Sequence, residues 1–115
     1  MIIVLFNQGE FSHAIRKGAL LAADGTVYPP DQDFRSKRIP SDEELEVAES
    51  ALITASEHLQ LNRPLLYARI DLVKGEEDKP LLLEMEIAEP SLSLPFDDGG
   101  ATRFARALTN ELSSH

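Results

Sequence analysis

The sequence predicts an α+β domain in which an antiparallel β-sheet, built from two hairpins, carries two helices on one face. Three observations lead there: two pairs of β-rich apolar segments joined by polar turns, two segments with apolar residues at helical spacing, and their alternation as hairpin, helix, hairpin, helix. At 115 residues the chain is expected to form a single domain over 1–115, within the common domain size of about 100 to 150 residues.

Met1 to Phe6 is a continuous apolar run and Phe11 to Leu20 a second strand; Asn7-Gln8-Gly9-Glu10 between them supplies the polar residues and glycine of a tight turn. From about residue 24 to 39 the periodicity vanishes and turn residues gather (Asp24-Gly25, Pro29-Pro30, Asp31), which predicts a mobile loop. A helix then starts at Pro40-Ser41-Asp42-Glu43-Glu44, where Ser41 can cap the amide of Glu44 while the Glu44 side chain reaches back. Leu45, Ala48, Leu52, Ala55 and Leu59 form its apolar stripe as far as Gln60, opposite a solvated acidic face. Leu65 to Val73 and Leu81 to Ile87 make the second hairpin. The last helix runs from Gly100 to about Leu112, with Ala101, Phe104, Ala105, Leu108 and Leu112 on its core side.

Composition narrows the function. With 11 Lys and Arg against 20 Asp and Glu, the net charge of −9 opposes unaided binding to nucleic acid or anionic membrane. The chain has no cysteine, and His13, His58 and His115 are too scattered for metal-ligand spacing. The apolar run Ile2 to Phe6 falls far short of the roughly 20 residues that cross a bilayer, so the expected location is the cytoplasm.

The second hairpin holds the chemistry. Alternation puts Leu66, Ala68, Ile70 and Leu72 on one face and Tyr67, Arg69, Asp71 and Val73 on the other. A turn centred on Glu77-Asp78 sets Asp71 beside Glu84, Arg69 beside Glu86 and Val73 beside Leu82. Facing carboxylates oppose each other by about 3 kcal/mol for full charges roughly 5 Å apart at an effective dielectric near 20, so a cation should lie among them. Arg69 is one candidate. Mg²⁺ is the other, because it favours carboxylates together with substrate phosphates, and Glu89 lies near enough in sequence to join. The blander reading is the wet face of a half-exposed sheet.

Tyr67-Ala-Arg69-Ile-Asp71, the turn, and Glu84-Met-Glu86-Ile-Ala-Glu89-Pro90-Ser91 resemble the C-terminal metal-binding hairpin of the ATP-grasp ligases, whose pattern is Arg-x-Asp, then Glu-x-Asn and a nearby proline. The Phe-Asn-Gln-Gly-Glu-Phe-Ser12-His13-Ala-Ile-Arg-Lys hairpin and the Glu-x-Glu variant look closest to the branch that includes the cycloserine-forming ligase, near glutathione synthetase. The resemblance implies the ATP-grasp C-terminal subdomain. It implies that Glu84 and Glu86 coordinate Mg²⁺ bridging the phosphates of ATP, that Asp71 binds metal or orients that shell, and that Arg69 neutralises the transferred γ-phosphoryl. Glu86 in place of asparagine adds a negative charge. Family members also carry an N-terminal substrate domain, a glycine-rich loop and a phosphate-binding lysine that are not found here, so the chain looks like a C-terminal lobe unable to complete a ligation alone.

Ser12 and His13 are candidates for substrate contact, although adjacent residues of a regular strand point to opposite faces and cannot pair. Arg16, Lys17, Arg35, Lys37 and Arg38 form the main basic cluster, and the resemblance puts Arg16, Lys17, Arg35 and Lys37 near phosphate or substrate. The expected partners are ATP and a carboxylate and amine substrate, together with either a missing N-terminal lobe or self-association through exposed sheet edges. A noncatalytic α+β module for metal binding, assembly or regulation is the alternative.

Overall fold

The computed structural model describes residues 1–18, 25, 35–88 and 90–113. Its strands are β1 (Ile2–Asn7), β2 (Glu10–Lys17), β3 (Arg35–Arg38), β4 (Tyr67–Lys74) and β5 (Pro80–Glu86); its helices are α1 (Asp42–His58) and α2 (Gly100–Ser113). All pairings are antiparallel, in the order β3-β2-β1-β4-β5. The expected α+β class and the sheet from two hairpins are both present. The strand β3 is an addition: Arg35–Arg38 pairs with Ala14–Lys17 inside the stretch read as loop. The rest of that stretch, apart from Gly25 and residues 39–40, lies outside the described residues, as do Leu20, Glu89 and His115.

Local chemistry explains the turns. Gln8 and Gly9 both have positive φ (49° and 82°), the backbone of a type I′ hairpin whose twist matches the strands it joins. At the β4–β5 end Gly75 sits against the exposed Leu81 side chain, which a Cβ there would push aside. Helix α1 begins as its sequence specifies: Ser41 Oγ accepts from the Glu44 amide at 3.1 Å and Glu44 Oε1 accepts from the Ser41 amide at 2.9 Å.

Packing divides the sheet into two faces. Ile2, Val4, Phe6, Ala68, Ile70 and Leu72 meet Ala48 and Leu52 of α1 in the main core. Ile3, Leu5 and Ile15 point the other way and are covered by Leu92 and Phe96, from the segment that leads into α2. The helices therefore lie on opposite faces, not on one. The cause is legible in β1, whose five residues Ile2 to Phe6 are all at most 3% exposed: a central strand buried on both sides needs two covers. Helix α2 is also turned from the expected orientation. Gly100 and Ala107 are its buried residues, Phe104 meets Tyr67 edge-on at 6.1 Å, and Leu108 and Leu112 are 39% and 67% exposed.

Two β-bulges adjust the register. Leu5 pairs with His13 but Phe6 with Phe11, leaving Ser12 as the extra residue. In the second hairpin Asp71 pairs with Glu84 and Arg69 with Glu86 as expected, but Leu72 then pairs with Leu82 and Val73 with Leu81, with Leu83 extra. Val73 is thus beside Leu81, not Leu82.

Replacing Ser41 with alanine removes the cap of α1 and is expected to lower unfolding free energy by about 1 kcal/mol, read by urea denaturation.

Candidate metal centre

The β4 residues Tyr67, Arg69 and Asp71 occupy the face away from α1, because Ala68, Ile70 and Leu72 belong to the main core. Arg69 lies along its own strand onto Asp71, donating from Nε to Oδ1 at 2.9 Å and from Nη2 to Oδ2 at 3.0 Å. This bidentate pair is buried, the side chains being 10% and 3% exposed. Hydrogen bonding to Asp71 raises the Arg69 pKa above its ordinary value against the opposing effect of burial, and the charges of Asp71, Glu86 and Glu84 add to the rise. The remaining terminal nitrogen, Nη1, donates to the Ser91 carbonyl at 3.4 Å and lies 4.0 Å from Glu86 Oε2.

Oxygens of Asp71, Glu84 and Glu86, one from each, lie within 4.8 Å of one another. Asp71 is buried, Glu86 partly buried and Glu84 exposed. Oxygens on one Mg²⁺, at about 2.1 Å from the ion, are at most about 4.2 Å apart, so the cluster would need to contract only slightly to share one ion. The donor set fits a hard cation: it is all oxygen, and three carboxylates with one guanidinium leave a surplus of negative charge. Since Arg69 engages both oxygens of Asp71, Glu84 and Glu86 are the freer ligands.

Ser12 and His13 do pair, against expectation. The bulge turns Ser12 so that its Oγ lies 2.8 Å from His13 Nδ1, while His13 Nε2 lies 2.9 Å from the Leu92 carbonyl. The carbonyl can only accept, which makes Nε2 the protonated nitrogen and Ser12 the donor to Nδ1. Arg103 Nε donates to Ser12 Oγ at 3.1 Å, and Arg103 also pairs with Asp97. Lys37 reaches the same Asp97 at 3.0 Å. Arg35 stacks over Phe96 at 4.7 Å and donates to Ser93 Oγ at 3.3 Å. Ser12, His13, Arg35 and Lys37 therefore fasten residues 91–97 to the sheet. Lys17, paired with Arg35, shares their face. Arg16, opposite Ile2, lies on the α1 face, as does Arg38, which binds Glu44 at 2.8 Å. Sequence reasoning passed over Asp97 and Arg103; an aspartate before Gly99-Gly100 at a helix start was the available signal.

Burial pushes the Asp97 carboxyl up, but hydrogen bonds from Lys37 and Arg103 outweigh it and hold the pKa at about 2. Burial lowers the His13 pKa below 6.5, partly offset by its bond to Leu92. Both folded values are depressed, so the stability tied to each group is present above its unfolded pKa and lost as pH falls.

The chain is 49% identical over 107 residues, 93% of its length, to the cycloserine biosynthesis protein DcsG of Streptomyces lavendulae. The crystal structure of D-cycloserine synthetase DcsG superposes with a TM-score of 0.88 at 47% identity over 96% of the chain. A D-alanine–D-alanine ligase from Bacillus anthracis, solved with ATP, shares the fold at a TM-score of 0.54 and 18% identity over 94% of the chain. The chain spans 36% of the cycloserine protein's length and 37% and 36% of the two solved chains. No family model matches it. Among the described residues no helix is long and apolar enough to cross a membrane.

Two outcomes follow for the folded chain. Asp71→Ala strands the buried Arg69 guanidinium and is expected to cost about 3 kcal/mol, measured by chemical denaturation. The melting temperature should fall as pH drops from 7 toward 5, and His13→Asn should flatten that slope. In sequence the chain is similar to the cycloserine protein, and in fold to it and to the D-alanine–D-alanine ligase, which fits a C-terminal ATP-grasp fragment.

Proposed function

We propose that this chain is the metal- and phosphate-binding lobe of an ATP-dependent ligase that joins a carboxylate to an amine through an acyl phosphate. The observation that carries this reading is the convergence of Asp71, Glu84 and Glu86 beside Arg69. Glu84 and Glu86 would hold Mg²⁺, with Asp71 orienting that shell and keeping the guanidinium in place. Bound there, the ion supplies charge neutralisation between the nucleotide's phosphate oxygens.

Phosphoryl transfer is governed mainly by positioning and electrostatic stabilisation. The γ-phosphoryl passes to the substrate carboxylate, releasing ADP; the amine nitrogen then attacks the acyl carbon, loses a proton and expels phosphate. Arg69 is suited to the first step. Two of its nitrogens are fixed by Asp71, so Nη1 is presented without rotational freedom, and its charge is secured by the acids around it. The lobe needs a second lobe to enclose the substrates. Exposed Leu81, Leu82 and Leu83 on the edge strand β5 are apolar surface that such a lobe, or a second copy, would cover.

Isothermal calorimetry of the chain with Mg²⁺ and with Mg²⁺-ATP tests the reading. Nucleotide binding that weakens about tenfold or more in Glu84→Ala supports it, in line with what metal-shell substitutions cost. Heats of dilution alone in the parent chain, or unchanged affinity in the variant, would reject it and leave a noncatalytic module.

A further inference from the structure

Two strands grip the segment 91–97 at adjacent carbonyls. Arg69 Nη1, on β4, donates to the Ser91 carbonyl at 3.4 Å, and His13 Nε2, on β2, donates to the Leu92 carbonyl at 2.9 Å. Both residues pair with Leu5 from opposite sides of β1, so His13, Leu5 and Arg69 form one row across the sheet. Nη1 also lies 4.0 Å from Glu86 Oε2. The Ser91 carbonyl and a candidate metal ligand therefore compete for the same nitrogen.

The role of His13 in this row is set by its neighbours. Arg103 pairs with Asp97 and donates to Ser12 Oγ at 3.1 Å; Ser12 Oγ donates to His13 Nδ1 at 2.8 Å, and Nε2 donates onward to Leu92. A guanidinium only donates and a carbonyl only accepts, so the direction of every bond in the chain is fixed from its two ends. The chain begins at Asp97 and finishes at Leu92, closing the segment on itself. Gly100, buried at the start of α2, lies against the ring: a Cβ there would come within 3.4 Å of both His13 Cε1 and the Leu94 carbonyl.

We propose that His13 is a positioning residue for the metal centre: by holding Leu92 it keeps the adjoining Ser91 carbonyl on Arg69 Nη1, which leaves Glu86 free for a cation. Asp71 fixes the guanidinium at two nitrogens, so when Ser91 withdraws, the side chain that moves is Glu86. A buried donor left unmatched is costly, and Glu86 closes on Nη1 with charge it would otherwise offer the metal. The consequence for the metal rests on the function proposed above; the hold on Arg69 does not.

NMR of the isotope-labelled chain at about pH 8, where the imidazole is neutral, tests both parts. A glutamine amide reaches where Nε2 stands and an asparagine amide only as far as Nδ1, so His13→Gln retains the bond to Leu92 and His13→Asn loses it. In the metal-free chain, His13→Asn is expected to shift the Arg69 Nε–H and Glu86 carboxyl resonances; titrated with Mg²⁺, it should bind about threefold more weakly. His13→Gln should restore both to parent values, which a merely structural role would not require. Ser12→Ala, at a half-buried position, removes the donor to Nδ1 and should move the same resonances in the same direction, so the inference stays testable if His13→Asn fails to fold. Unmoved Arg69 and Glu86 resonances, or a glutamine variant that behaves like the asparagine one, would overturn the assignment. Unchanged Mg²⁺ affinity in His13→Asn would overturn it and leave the metal centre standing; a parent chain that binds no Mg²⁺ would overturn both.

Discussion

The structure depends on the burial of β1 on both faces. Ile2, Val4 and Phe6 pack toward α1, and Ile3 and Leu5 toward Leu92 and Phe96, so the sheet cannot remain half wet in the way most antiparallel sheets do. One cover is a regular helix whose backbone groups bond internally. The other is the irregular segment 91–97, whose polar backbone needs partners from elsewhere. Polar residues of the second face supply them: His13 meets the Leu92 carbonyl and Arg69 the Ser91 carbonyl, while Arg35 holds the Ser93 hydroxyl. The demand for a second apolar cover thus concentrates polar side chains on the face that bears the candidate site.

Two charge groups share that face, and they differ in balance. Asp97 is held by both Lys37 and Arg103, so this group has no acid in excess and fastens loop to sheet. Arg69 instead stands among Asp71, Glu84 and Glu86, leaving acid in excess. Oxygen ligands with uncompensated charge are what a divalent cation stabilises, and what an apo fold must tolerate. The imbalance, more than the number of acids, separates a candidate metal centre from a solvated surface such as the acidic side of α1.

The pairing of Arg69 with Asp71 constrains the chemistry further. A guanidinium held at two nitrogens by a buried carboxylate loses little freedom when it meets an incoming oxyanion, and the same carboxylate contributes an oxygen to the cluster. Asp71 therefore links the cation to the acids, and its burial at 2% exposure keeps that link in a fixed geometry.

Much of this was readable from residue order. The α+β class, both hairpins, the Ser41 capping box and the opposition of Asp71 to Glu84 and Arg69 to Glu86 follow from local patterns: strand alternation, turn residues and cap spacing act over a few residues and need no knowledge of distant packing. Tertiary structure decided the rest. The sides taken by the helices, the orientation of α2, the strand β3 and the partners of Asp97 depend on contacts between segments far apart in sequence. The Ser12–His13 contact, neighbours in sequence, arose because a bulge in the pairing of β2 with β1 added one residue to the strand. Alternation alone forbids that contact; pairing with the neighbouring strand, which alternation does not encode, permits it.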